Sequence, residues 1–271
     1  MTGVIGALRR PASLDAAEAW GALAAADVHR QPARFDPAAV DDLPAPARRW
    51  LVRALAPGTA LHGGVILQMR GRIRLGPRWF TFTADQILRA GVGFVWRPVV
   101  GGRIVRFEGV DVLAPSEARM EFRFHGRIPV VNSSGEDIAR SAAGRLAGET
   151  VSWLPAAFVP GSGAWAEDGP IWHALDGDRF VVTVPSPVEP VDVEVTVDAD
   201  GRLRSVAMSR WEGSADPPAY APFGGEFGDD VTDGDGRRLA GRGSVGWRWG
   251  TPGWAQGEFF RFEIVGAHAI R

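Results

Sequence analysis

Residues 191–197 read Val-Asp-Val-Glu-Val-Thr-Val, so that a valine alternates with a polar residue at every second position. Successive side chains of a β-strand point to opposite faces, and a period of two is typical of a strand with one buried face. The same alternation appears in residues 65–75 and 118–124, where arginines and glutamates separate the apolar positions. These three segments predict a β-rich fold.

Glycine-rich turns separate these segments from one another and from weaker strand candidates. The weaker candidates cover residues 79–88, 104–112, 179–184, 203–210, 244–249 and 257–265. Turns with the composition of hairpin connections are Gly101-Gly102, residues 176–178, Asp198-Ala199-Asp200-Gly201 and Asp233-Gly234-Asp235-Gly236. No helical crossover separates the strands, so we predict an antiparallel meander. We expect both acidic turns, residues 198–201 and 233–236, to be exposed. Residues 217–222 and 224–236 are predicted to be loops.

The first part of the chain has a different composition. Residues 1–60 are rich in alanine and predict an N-terminal helical segment, with helices at residues 13–28 and 44–55 that end at prolines or glycine. We expect this segment to belong to the same domain as the antiparallel β part, residues 61–271. The predicted fold is therefore mainly β with helices.

One further helix, residues 135–149, is predicted to interrupt the meander, and Ser133 and Glu136 have the spacing of a capping box at its start. A curved, half-barrel-like sheet packed around this internal helix would bury the apolar faces of both elements. The expected architecture is therefore a half-barrel with one helix in its concave face.

This helix carries charges on its apolar face. Arg145 and Glu149 are one turn apart and share the face that Ile138, Ala142 and Leu146 form. Charges in such a position need partners, and these two can pair with each other. The pair predicts either a structural link between helix and sheet or a polar anchor at the bottom of an apolar pocket. In both cases, replacing both charges should destabilise the protein less than replacing one.

Composition excludes several kinds of chemistry. The chain has no cysteine and no lysine, because all 30 basic residues are arginines. Disulfides, thiolate nucleophiles, Schiff-base lysines and P-loop lysines are therefore excluded. The net charge of −2 gives no indication of a nucleic-acid partner. No segment has the pattern of a targeting signal or an integral membrane segment, so we expect a cytoplasmic protein.

Motifs for metals and cofactors are also missing from the sequence. The five histidines have no metal-binding spacing, and the aspartates of residues 229–235 have no closing glutamate of the kind that calcium loops use. Gly241, Gly243 and Gly246 fit a dinucleotide-binding spacing, but they lead into a predicted strand instead of a helix. We therefore predict no metal and no cofactor.

Four motifs carry a family resemblance. They are Leu43-Pro44-Ala45-Pro46 before Arg49-Trp50-Leu51; Gln68-Met69-Arg70-Gly71 with Gly93-Phe94-Val95-Trp96; Arg145-Leu146-Ala147-Gly148-Glu149 with Trp153 and Pro155; and Arg210 with the glycine-rich residues 223–228. In these residues the chain resembles a bacterial family of uncharacterised proteins, a domain of unknown function. The antiparallel pattern is also similar to the half-barrels of bacterial lipoprotein carriers. The resemblance implies a half-barrel fold and no established activity.

Three functions are compatible with these features. The leading prediction is non-catalytic binding of an apolar or amphipathic small molecule such as a lipid. The ligand-binding residues in this hypothesis are Arg145, Glu149, Trp153, Trp96 and Arg210. The alternatives are a structural or protein-interaction module, which would have a filled core and an exposed apolar patch, and a hydrolase, which would place a histidine or carboxylate beside Glu149. The sequence does not indicate an oligomeric state.

Overall fold

The computed structural model describes residues 16–25, 32–165 and 169–270. Fifteen strands lie in these residues: β1 Gly64–Leu75, β2 Arg78–Arg89, β3 Gly93–Gly101, β4 Arg106–Ala114, β5 Glu117–Phe124, β6 Ile128–Ser134, β7 Ile171–Ala174, β8 Arg179–Val184, β9 Val191–Val197, β10 Leu203–Glu212, β11 Ala219–Phe227, β12 Asp230–Thr232, β13 Arg238–Ala240, β14 Arg242–Trp247 and β15 Glu258–Ala269. Thirteen of them form one open sheet in the order β6-β5-β4-β3-β2-β1-β15-β14-β11-β10-β9-β8-β7, while β12 and β13 form a separate hairpin. The predicted antiparallel meander is confirmed.

Four α-helices accompany the strands in the described residues: α1 Ala17–Ala25, α2 Ala45–Ala54, α3 Glu136–Trp153 and α4 Trp254–Gly257. The helix expected at residues 13–28 is present as α1, and both of its expected ends lie outside the described residues. The search for a helix long and apolar enough to cross a membrane finds none in the part of the chain that the structure describes.

The internal helix differs from its prediction at both ends. It continues to Trp153 instead of stopping at Glu149, because the chain meets its first helix-ending proline only at Pro155. The expected capping box is absent, since Gly135 is the N-cap residue and makes no side-chain cap bond. Ser133 belongs instead to β6, where it pairs with Met120 on β5.

The prediction that residues 217–222 and 224–236 are loops is wrong at residues 230–232, which form β12, and at residues 219–227, which form β11. The glycines of β11 are required because neighbours approach its backbone closely. A β-carbon at Gly224 would lie 2.4 Å from the Val206 carbonyl oxygen, and one at Gly225 would lie 2.2 Å from that of Ser244. Glycine in a strand can mark such a close approach, so composition alone gave the wrong element.

Strand β3 was missed for a different reason. Phe94, Val95 and Trp96 are all buried, so that neither face of the strand is open to solvent. A strand covered on both faces has no alternation of apolar and polar residues, and a search for a period of two does not detect it.

The sheet is strongly curved around α3. A β-carbon added at Gly144 would lie 2.7 Å from Cγ of Arg210 on β10, and the next residue, Arg145, bonds Asp111 on β4. These two strands are seven positions apart in the sheet order, which is about 34 Å in a flat sheet. Because consecutive Cα atoms are only about 3.8 Å apart, the sheet must curl to bring both strands to the helix.

Apolar side chains pack on both faces of this curved sheet. On the concave face, α2 and α3 contribute Trp50, Leu51, Leu146 and Val151 to the main core. On the convex face, α1 covers a smaller cluster, which contains Leu23 together with Ile87, Val95, Val110 and Val112 from β2, β3 and β4. The two clusters explain why the central strands are buried on both sides.

The acidic turns form hairpin connections as predicted, but neither is fully exposed. Asp233 lies within the β12–β13 turn and is buried, because its carboxylate pairs with Arg237 at 2.6 Å, and both side chains are fully shielded from solvent. In the β9–β10 turn, Ala199 and Asp200 are exposed, whereas Gly201 is buried against α2. The expectation of exposure failed because each turn packs one residue against the body of the protein.

Gly201 provides a test of how the β9–β10 turn is packed on α2. Its φ is +78°, and an added β-carbon would lie 2.3 Å from the carbonyl oxygen of Arg49. Gly236 has a φ of +82° but open space where its β-carbon would be. We expect Gly236→Ala to lower the free energy of unfolding by about 1 kcal/mol from the left-handed backbone alone, and Gly201→Ala to cost about 1–3 kcal/mol more from overpacking.

Urea unfolding of both variants measures this difference. Equal losses of stability in the two variants would contradict a close contact between the turn and α2.

Candidate functional site

A row of side chains crosses the concave face of the sheet on neighbouring strands. Strand register places Gln86 on β2 opposite Trp96 on β3, and Trp96 opposite Asp111 on β4. Residues opposite each other in neighbouring strands point to the same face. The sheet therefore presents an amide, an indole and a carboxylate side by side toward α3.

Arg145 on α3 meets this row. Its Nε donates to Oε1 of Glu149 at 2.7 Å, its Nη1 donates to Oδ2 of Asp111 at 2.7 Å, and its Nη2 donates to Oε1 of Gln86 at 3.1 Å. The guanidinium also lies over the rings of Phe94 and Trp96, with its carbon 4.3 and 5.0 Å from the two ring centroids. One guanidinium thus joins the helix to three strands.

The second carboxylate oxygen of Glu149 completes the network. Gln86 Nε2 donates to Glu149 Oε2 at 2.6 Å, so Gln86 bonds both members of the predicted pair. The side chains of Arg145, Glu149 and Asp111 are only 15%, 16% and 17% exposed. The pairing predicted from the helix face is confirmed, and it has two further members.

Burial and charge act in opposite directions on this network. Burial raises the pKa of Glu149, while the charge of Arg145 and the bonds from Arg145 and Gln86 counteract the rise. For Arg145, burial works to lower the pKa, but the charges of Glu149 and Asp111 outweigh it and the pKa is raised. Arg145 is therefore held in its charged form between two carboxylates.

The structure places Trp96 against this network but separates Trp153 and Arg210 from it. Trp153 is buried at the C-terminal end of α3, where its Nε1 donates to the carbonyl oxygen of Ala240 at 3.0 Å. Three ring contacts connect it to Trp96 through Phe262 and Phe260, with centroid distances of 5.3, 6.2 and 5.9 Å. The assignment of Trp96 and Trp153 as ligand-binding residues stays a prediction.

Arg210 lies on the opposite side of α3, where β10 passes beneath the helix. Its Nε donates to the backbone oxygen of Ser141 at 2.9 Å, and its Nη2 is 3.3 Å from Oγ of the same serine. The guanidinium carbon is 4.4 Å from the ring centroid of Phe223 and 5.2 Å from that of Trp247. Among the residues that the structure describes, no carboxylate lies within ion-pair distance of Arg210.

Burial lowers the pKa of Arg210 to about 10, and the positive charge of Arg145 contributes to the shift, whereas Asp111 and Glu149 partly offset it. A group with this pKa is still protonated at neutral pH. Arg210 is therefore a shielded cation whose direct contacts are neutral.

A cleft of about 340 Å³ opens beside Arg210, between the N-terminal half of α3 and the ends of β9, β10 and β11. Its walls combine aromatic, aliphatic and charged side chains: Arg140, Gly144, Glu189, Pro190, Val191, Asp192, Ser209, Arg210, Trp211 and Tyr220. Tyr220 donates its hydroxyl to Oε1 of Glu189 at 2.6 Å, and Arg140 lies 4.8 Å from the ring centroid of Trp211.

Several of these residues were not found from the sequence. Gln86 lies within the strand candidate of residues 79–88, and Asp111 stands between two valines on β4, where a charge at an inward position was the available signal. Arg140, Trp211 and Tyr220 come together only because β10, β11 and α3 pack against each other. In the described part of the chain, no three histidine, aspartate or glutamate side chains are arranged to hold a metal ion.

The network changes the stability expected for a variant in which both Arg145 and Glu149 are replaced, because Asp111 is a third charged member. We expect Glu149→Ala to lower the free energy of unfolding by about 3–5 kcal/mol, since it breaks a buried network of charges. The double variant Arg145→Met, Glu149→Leu still leaves Asp111 buried without its cation. The triple variant that adds Asp111→Leu should therefore be more stable than the double variant.

Chemical denaturation of the three variants tests this order. A Glu149→Ala protein as stable as the parent, or a triple variant less stable than the double variant, would show that the network does not hold the helix to the sheet.

Three solved structures are similar to this chain. A domain described as an outer membrane lipoprotein-sorting protein from Vibrio parahaemolyticus is 11% identical, with a TM-score of 0.35 over 76% of this chain and 85% of that one. A DUF1329 family protein from Desulfovibrio piger is 11% identical, with a TM-score of 0.42 over 87% and 94%. A LolA superfamily protein from Nitrosomonas europaea is 9% identical, with a TM-score of 0.39 over 83% and 91%.

A search of curated proteins finds no match to this chain. A protein-family model does match, and it covers the helix α2, the whole charged network and the cleft. The chain belongs to DUF6544, a family of unknown function whose model matches residues 33–259.

Proposed function

We propose that this protein binds an amphipathic small molecule with an anionic head group, without catalysing its conversion, in the cleft beside Arg210. The observation that supports this most directly is the Arg210 guanidinium, which forms part of the cleft wall and has no carboxylate partner among the described residues. A shielded cation without a counterion favours an anion from outside the chain.

The two arginines on either side of α3 differ in this respect. Arg145 has two carboxylates at 2.7 Å and an amide, so each of its three guanidinium nitrogens donates one hydrogen bond. Arg210 uses Nε and Nη2 for Ser141, and neither bond supplies a negative charge. A ligand carboxylate or phosphate would supply that charge, and a guanidinium binds either one with directional hydrogen bonds.

The remainder of the cleft suits the apolar part of such a ligand. Trp211, Tyr220, Pro190 and Val191 offer aromatic and aliphatic surface within a volume typical of small-molecule sites. The carboxylate of Glu189 in the same cleft is already engaged, because it accepts a bond from Tyr220 and lies 3.5 Å from Arg140. Its negative charge is therefore paired with Arg140 within the cleft.

Glu149 is poorly placed to act as the base of a hydrolase. Both of its carboxylate oxygens accept hydrogen bonds, one from Arg145 and one from Gln86. A general base must be within hydrogen-bond reach of the proton that it removes, and here both positions are taken by protein donors. This favours binding over hydrolysis as the function of the protein. As part of the proposal, we place the protein in the cytoplasm.

Calorimetric titration with dodecanoate, below the concentration at which it forms micelles, tests the proposal. We expect saturable binding that Arg210→Gln weakens by about tenfold or more, because a hydrogen-bonded charge is lost from the site. Arg204→Gln on the same strand is the matched control, since Arg204 is exposed and does not line the cleft.

Dodecanol provides the second comparison, because it has the same chain without the charge. It should bind the parent and the Arg210→Gln protein about equally. Absence of dodecanoate and dodecyl phosphate binding to the parent would refute the proposal, as would equal losses in Arg204→Gln and Arg210→Gln.

A further inference from the structure

Three neighbouring hairpins have their turns at the same end of the sheet, and their residues precede those of the cleft in the sequence. They are the β1–β2, β3–β4 and β5–β6 connections, at residues 76–77, 102–105 and 125–127. Because β1 to β6 are consecutive antiparallel neighbours, every second connection lies at the same end. We call these three connections, with the residues that flank them, the hairpin end.

Aromatic rings and a hydrogen bond hold the hairpin end together. Phe80 lies 6.2 Å from Phe107 and Phe107 lies 5.6 Å from Phe124, measured between ring centroids, so one ring chain links β2, β4 and β5. His125 Nε2 is 3.1 Å from the carbonyl oxygen of Ile104, which joins two of the connections. The three connections therefore form one surface.

Large apolar side chains are concentrated on this surface. Of the eleven exposed large apolar residues in the described part of the chain, five belong to the hairpin end: Leu75 at 38%, Ile104 at 87%, Val105 at 38%, Ile128 at 61% and Val130 at 49% exposure. Single exposed apolar residues are ordinary on protein surfaces, but a contiguous group of them indicates a binding surface.

Each hairpin also presents an exposed arginine. These are Arg78, Arg103 and Arg127, and none of them has an ion-pair partner among the described residues. A carboxylate close to the connections, that of Glu108, is paired with Arg106 at 2.9 Å and lies beside Gly126. The surface therefore combines aliphatic side chains with three uncompensated positive charges.

We propose that the hairpin end docks on the surface of a lipid bilayer that carries anionic head groups. Exposed aliphatic side chains enter the boundary between head groups and acyl chains, and arginines beside them pair with the head-group phosphates. Charge complementarity supports this occupant, since the positive charges are interleaved with the apolar residues instead of being confined to a rim. A single-stranded nucleic acid would need exposed aromatic rings for its bases, and the rings of Phe80, Phe107 and Phe124 are partly buried.

Vesicle sedimentation tests this docking. The parent protein should bind vesicles of phosphatidylcholine with phosphatidylglycerol and bind vesicles of phosphatidylcholine alone much more weakly. The triple variant Arg78→Ser, Arg103→Ser, Arg127→Ser should lose on the order of a hundredfold in partitioning, which is about fivefold for each arginine. Arg204→Ser, at an exposed arginine of β10, should bind like the parent.

A matched pair of variants tests the contribution of the apolar side chains to vesicle binding. Ile104→Ser should reduce binding to the anionic vesicles, whereas Ile171→Ser should not, because Ile171 is 57% exposed on β7 at the sheet edge farthest from β6. Since the chain has no cysteine, Ile104→Cys and Ile171→Cys each give a unique site for an environment-sensitive fluorophore. Only the label at residue 104 should shift to shorter wavelength when anionic vesicles are added.

Two results would overturn the proposal. One is a parent protein that stays in solution when the anionic vesicles are sedimented. This includes the case in which the hairpin end joins two copies of the chain, which would show as a molecular mass of the protein that rises with its concentration. The other is equal behaviour of the labels at residues 104 and 171, which would mean that the protein adsorbs through no particular face.

Discussion

The fold depends on the attachment of α3 to the sheet through the Arg145 guanidinium. A charge buried among apolar side chains is tolerated when it is paired and hydrogen-bonded, and Glu149, Asp111 and Gln86 provide the partners of Arg145 at 2.7, 2.7 and 3.1 Å. Two of these partners are on strands, so the helix has one position along the sheet at which the network is complete. Displacing the helix by one turn would keep the Arg145–Glu149 pair, which lies within the helix, but it would leave Asp111 buried without its cation and Gln86 without its partners. This is a strong reason for the sheet to curl around the helix in this register.

Much of the fold was predictable because period-two alternation survives wherever one face of a strand meets solvent. Strands β8 and β9 have the predicted bounds, β1 begins one residue earlier than predicted, and the helical residues 44–55 contain α2. Prediction missed the edge strands β6 and β7, whose residues are mostly exposed, and it also failed on two strands that neighbouring elements cover. On β3, α1 hides the side that would have been polar, and on β11 the glycines that resemble a loop are there because neighbouring backbones and Trp249 approach the strand closely. Both failures have the same origin, which is packing by elements distant in sequence.

The candidate site was predictable to the extent that helical spacing alone determines it. Arg145 and Glu149 are four residues apart, so their pairing follows from helix geometry. The assignment of Asp111 and Gln86 to the same network requires the register of β2, β3 and β4, because 34 residues separate Asp111 from Arg145 along the chain. The cleft requires still more, since Tyr220 and Glu189 meet through a strand that the sequence did not predict. Sequence patterns define the faces of single elements, whereas tertiary register decides which faces meet.

Two adjacent stripes on α3 explain why the two arginines have different surroundings. Arg145 and Glu149 form one stripe, and Gly144 and Gly148 form the next. A β-carbon at Gly144 would lie 2.7 Å from Cγ of Arg210, and one at Gly148 would lie 2.7 Å from Cε of Met208, so the glycines let β10 approach the helix backbone. Glycine inside a helix costs about 1 kcal/mol relative to alanine, and here the cost is offset by the packing of β10. The close approach leaves no room for a carboxylate between helix and strand. Arg210 therefore bonds the backbone of Ser141 and keeps a positive charge that no described residue neutralises directly.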